Sequence, residues 1–77
     1  MKYQKCNIEK FLFNGKYVVP AVVISVDMQF LHNKTTILSE LDFAIGTILV
    51  VNNHELKIVD RTIHINNYSY ICDYIKK

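Results

Sequence analysis

The residues that most often carry chemistry are scarce in this sequence. It has two glycines, Gly15 and Gly46, far apart, so no glycine-rich phosphate loop can form. It has two cysteines, Cys6 and Cys72, too few for a disulfide framework. Buried, reduced thiols acting as small hydrophobic fillers are expected, with a Cys6–Cys72 bridge as the lesser option if the terminal strands pair. His32, His54, His64 and the two cysteines show no C-x-x-C or H-x-x-x-H spacing. No metal site and no cofactor are therefore expected, and the histidines read as surface or turn residues. No apolar run approaches the roughly 20 residues of a membrane helix. No signal-like segment opens the sequence. These two absences point to a cytoplasmic protein without a membrane partner.

Catalytic sets are equally thin. Neither cysteine has a histidine and a carboxylate placed beside it by spacing. Glu40 and Asp42 lie two apart, and Asp60 would face Asp73 across a two-residue turn at Asn66-Asn67. Like charges so placed are unfavourable, and a chain of 77 residues has little room for a closed pocket. The expectation is a protein that is not an enzyme.

What is present is a single apolar domain, residues 1–77. Hydrophobic residues make up 51 %, which argues for a folded chain. The net charge is +2, far from the balance of a dedicated nucleic-acid binder. Lys2, Lys5, Lys10 and Lys16 make the first twenty residues basic. Asp27, Glu40, Asp42, Glu55 and Asp60 make the middle acidic. If the first and last strands were neighbours, one edge of the fold would be positive. Ile, Asn, Lys and Tyr supply 30 of the 77 residues. Their codons are AT-rich, which suggests a low-GC bacterium, its phage or its plasmid as the source.

Turn signals recur at short intervals. Asn14-Gly15 is a strong two-residue hairpin signal, because both positions tolerate positive φ. His32-Asn33-Lys34, Asn52-Asn53 and Asn66-Asn67 are the others. Between them the pattern has a period of two. Val22, Ile24, Val26, Met28 and Phe30 alternate with a second, mixed set. Tyr68, Tyr70, Cys72 and Tyr74 form another same-face stripe, read as inward with hydroxyls at the rim. Leu56 and Ile58 have one parity, Ile63 and Ile65 the other. A β-bulge near Val59–Arg61 would bring all four inward and leave His64 outward. Pro20 marks an edge, a bulge or a strand start. Leu38, Leu41 and Ile45 have helical spacing with Gly46 after them, so at most one short helical turn is expected near 38–45. The sum is an all-β fold: a small antiparallel meander of five or six strands, most simply a partly open barrel.

The stretch "AIGTILVVNNHELKIVDR", residues 44–61, resembles the glycine–strand–turn–strand hairpin of small SH3-like barrel proteins of bacteria and their phages. The resemblance implies an SH3-like fold and no activity.

Function is read by elimination. The leading expectation is a non-enzymatic protein that binds another macromolecule, with a protein as the first choice of partner. The specific form is a phage or mobile-element accessory protein that inhibits a host defence protein. Glu40, Asp42 and Glu55 are the candidate contacts to a basic partner. Ile71 and Ile75, on the outer face of the last strand, are candidate apolar contacts. The alternative is a small nucleic-acid-binding barrel using Lys5, Lys10, Lys16, Arg61, Lys76 and Lys77 as a basic edge. A second alternative is a structural or assembly part of a phage particle, associating with copies of itself through its edges.

Overall fold

The computed structural model describes residues 3–76, with the backbone alone for Lys76; Lys77 lies outside the described residues. It contains eight strands and no helix among them. These are β1 Gln4–Asn7, β2 Lys10–Phe13, β3 Lys16–Val18, β4 Ser25–Phe30, β5 Thr35–Ser39, β6 Ile48–Val51, β7 His54–Ile63 and β8 Tyr68–Lys76. They form one antiparallel sheet in the order β1-β4-β5-β8-β7-β6-β2-β3, curled into a half-barrel.

The all-β class and the antiparallel, curled sheet are as the alternating patterns imply. The strand count and the order are corrected. There are eight strands where five or six were expected, and three of them precede Pro20. Only Ile8 and Glu9 separate β1 from β2. Ile8 N–H donates to the Ile24 carbonyl at 2.9 Å and Glu9 N–H to the Val50 carbonyl at 2.9 Å. One bent stretch of chain thus leaves β4 and reaches β6 on the other flank, which curls the sheet. The order is a meander only through β6–β7–β8. β5 pairs with β8, so the chain between β5 and β6 must cross two strands. β1 lies beside β4 and not beside β8, so the first and last strands share no edge and the two thiols stay free.

The turns follow local backbone chemistry. Asn14 and Gly15 have φ of 52° and 79°, and Asn52 and Asn53 have 52° and 65°. Both pairs make two-residue hairpins with left-handed central residues, as asparagine and glycine permit. Asn66-Asn67 does not. Ile63 pairs with Tyr68, and His64 N–H donates to the Asn67 carbonyl at 2.8 Å, closing a four-residue connection. The register therefore differs from the expected one. Arg61 faces Tyr70, and Asp73 faces Lys57 rather than Asp60, so the like-charge clash never arises.

The bulge is present: Ile58 pairs with Cys72 and Asp60 with Ile71, leaving Val59 unpaired. It carries Ile63 onto the face of Leu56 and Ile58, as the parity requires. Burial does not follow. Ile63 is 67 % exposed and Ile65, in the connection, 99 %. β6 ends its pairing at Lys57, so the last residues of β7 have a strand on the β8 side only. The core itself joins Val26, Met28, Ile37, Leu49, Leu56, Ile58, Tyr70 and Cys72, from β4, β5, β6, β7 and β8. The alternation begun at Val22 becomes a strand only at Ser25; Val22 and Val23 are exposed.

Candidate protein-binding rim

One end of the half-barrel is built around the segment 40–46. The helical turn expected there is absent, and Leu41 and Ile45 point to solvent, 44 % and 60 % exposed. Two side chains from the sheet pin the segment. Tyr70 is buried in β8, and its hydroxyl accepts from Phe43 N–H at 2.8 Å and donates to the Leu41 carbonyl at 2.5 Å. Burial raises the Tyr70 phenol above its ordinary value, with only partial relief from the Phe43 N–H. The phenol therefore stays protonated and can donate. Arg61, opposite Tyr70, makes an ion pair with Asp42, reaches the Phe43 carbonyl at 3.4 Å, and lies over the Tyr68 ring. Phe43 packs edge-on against Tyr70, ring centres 5.6 Å apart. Ser39 Oγ accepts from Leu41 N–H at 3.0 Å and closes the near side.

Leu41 and Ile45 are exposed on this segment, and Ile63 and Ile65 are exposed at the end of β7 and in the connection that follows it. Scattered apolar surface is ordinary, but a group of large aliphatic residues on pinned connections is the pattern of a contact surface. The periodicity gave no hint of it. The spacing that implied a helix also hid a well-bonded loop, and the parity that placed Ile63 inward could not report where the core stops.

The expected site residues are dispersed. Asp42 is held by Arg61. Glu55, at the other end of β7, accepts from the Tyr17 hydroxyl at 2.9 Å, and that bond raises the Tyr17 phenol. Glu40 is exposed, with no ion pair to a described residue among those the structure shows. Asp42 lies by the first residues of β8, whereas Glu55 faces its last, Lys76, so Glu40, Asp42 and Glu55 do not form one patch. Ile75 is 49 % exposed and Ile71 half-buried, both on the outer face.

The cations are divided as well. Lys5 sits 3.6 Å from Asp27 on β1, and Lys10 lies over the Tyr17 ring at 5.0 Å. Lys16 is exposed on β3, Arg61 belongs to the rim, and the side chain of Lys76 is outside the described residues. The tyrosine stripe faces inward: Tyr70 and Cys72 are buried, and the Tyr74 hydroxyl donates to the Leu31 carbonyl at 2.8 Å. Bases have no tyrosine platform to stack on there.

The histidines divide too. His64 is exposed and shares a 3.0 Å hydrogen bond with Ser69. His54 is not a surface residue. It is half-buried between Phe30 and Tyr74, ring centres 5.1 and 5.6 Å away. Its Nδ1 and the Oγ1 of Thr35 are buried without a hydrogen-bond partner among the described residues. Among the described residues no three His, Cys, Asp or Glu side chains converge as metal ligands. Cys72 is held as a neutral thiol, pushed up to about 12 by burial first and by Asp73 second. No described helix is long and apolar enough to cross a membrane.

Comparisons with protein-family models, curated proteins and solved structures found no match to this chain.

Proposed function

We propose that this chain is a non-enzymatic protein-binding module and that the rim formed by Leu41, Ile45, Ile63 and Ile65 is its contact surface. The observation that carries the reading is the pinning of the 40–46 segment. A buried tyrosine hydroxyl and an arginine fix a loop whose aliphatic side chains point into solvent. A preorganised surface loses less entropy on binding than a mobile one. Residues 44–61, which resemble the SH3-like hairpin, supply Gly46, β6, the Asn52-Asn53 turn and the first half of β7 as scaffold. Small size and AT-rich composition support the narrower reading of a mobile-element accessory protein that blocks a host protein.

The nucleic-acid alternative is less well supported, because Lys5, Lys10 and Arg61 already have partners and the tyrosines face inward. The rim also differs from a free sheet edge, so self-assembly through edges is not the favoured form of partner.

The test is photo-crosslinking in extract of the source organism, with a photoreactive residue at position 65 and, as a control, at Lys57 on the outer face. A discrete adduct from position 65 that is absent from position 57 is expected. Identical adducts from both positions, or none from 65, would overturn the proposal.

A further inference from the structure

Beside the rim, at the end of β4 and β5, lies an open cleft of about 360 Å³. Its lining includes Lys5 of β1, Asp27 of β4, Leu38 of β5, Glu40 and Leu41 beyond it, and Asn67 of the β7–β8 connection, with Ser25, Val26 and Ser39 between them. That volume is at the small end of ligand pockets, roughly 300–1,000 Å³, and is too open to enclose a free metabolite.

Its chemistry is that of a receptor for a long, charged side chain. Leu38 and Leu41 offer an apolar wall for a methylene stem. Asp27 and Glu40 offer carboxylates for a cationic head, and Ser25, Ser39 and Asn67 add oxygen acceptors. Lysine and arginine need this combination, since they bury the stem while the head keeps polar company. Among the described residues the cation lining the cleft is Lys5, 3.6 Å from Asp27 in a pair whose side chains are 70 % and 47 % exposed. Exposed pairs of this kind are weak, so an incoming head group displaces little. Glu40 has no described cation to displace.

The cleft is continuous with the rim. Leu41 belongs to both, and Asn67 sits in the same four-residue connection as Ile65. We infer that the cleft receives an arginine or lysine side chain of the protein that docks on the rim. This rests on the protein-binding reading and adds the chemistry of the partner: a basic residue flanked by apolar ones. It also changes which carboxylates matter. Asp27 and Glu40 form the acceptor, while Asp42 and Glu55 are taken up internally.

The experiment is an NMR titration of the isotope-labelled full chain with N-acetyl-arginine methylamide. The citrulline analogue, neutral and nearly the same shape, is the control. Saturable amide shifts confined to Ser25, Asp27, Ser39, Glu40 and Asn67 are expected. Binding of the citrulline probe should be weaker by about tenfold, the scale of a charge-assisted hydrogen bond. Asp27→Asn with Glu40→Gln should abolish the arginine shifts, and Ile63→Ser with Ile65→Ser should leave them. Equal shifts from both probes, shifts elsewhere, or no saturable shift at millimolar probe would overturn the inference. The cross-linking result is independent. A cross-link without probe binding removes the cleft and keeps the rim, and probe binding without a cross-link does the reverse.

Discussion

At the scale of single residues, Tyr70 holds the 40–46 segment in place. Its hydroxyl serves two backbone groups of a loop that has no secondary structure of its own. Tyr70→Phe keeps the ring and its packing against Phe43 but orphans the Phe43 N–H and the Leu41 carbonyl. A loss of about 1–3 kcal/mol is expected, the cost of leaving such groups unmade. Urea unfolding would read it, and hydrogen exchange at Phe43 should quicken. Unchanged exchange there would show that the loop is held by something else. Cys72 gives a second, pH-dependent expectation. Its folded-state value is raised from 9.0 to about 12. The folded chain then holds the proton more tightly than the unfolded chain. This contribution to stability is complete below pH 9 and is lost as pH rises toward 12. Tyr70 is shifted the same way. The urea midpoint should fall in alkaline solution, and Cys72→Ala should fall less steeply than the parent. Equal slopes would remove Cys72 from the explanation.

At the scale of elements, the two Asn-Asn pairs look alike in sequence and differ in structure. Asn52 and Asn53 take positive φ; Asn66 and Asn67 do not. Asn53→Val should therefore cost about 1–2 kcal/mol, the penalty of a β-branched residue in the left-handed region. Asn66→Val, at an exposed site, should stay within about 0.5 kcal/mol. Equal effects in thermal or urea unfolding would contradict the assigned turns. The contrast also marks what was legible. Turn positions, the Val59 bulge and the inward tyrosine face follow from local rules of φ and parity. The length of the β7–β8 connection does not, because two residues more or fewer satisfy the same pattern. That ambiguity shifted the register and misplaced Asp60, Asp73 and Ile63. The helical spacing of Leu38, Leu41 and Ile45 misled for a different reason. β5 takes Leu38, and the Tyr70 hydroxyl competes for the backbone groups of the rest.

At the scale of the whole molecule, curling separates what the sequence seemed to gather. The acidic middle segment is distributed between the rim and the far end of β7, and the basic termini do not share an edge. β7 also extends past the end of β6, and Ile63 and Ile65 are exposed there. None of this was readable in advance, since it depends on β5 pairing with β8 rather than with the next strand. The central claim is that these isoleucines serve a partner and not the fold. The most direct measurement is capture of the cross-linked partner by the Ile63→Ser/Ile65→Ser variant, after its unfolding free energy has been compared with that of the parent. Exposed positions should leave stability within about 0.5 kcal/mol while capture is lost. Capture retained at parental level by a stably folded variant would contradict the account.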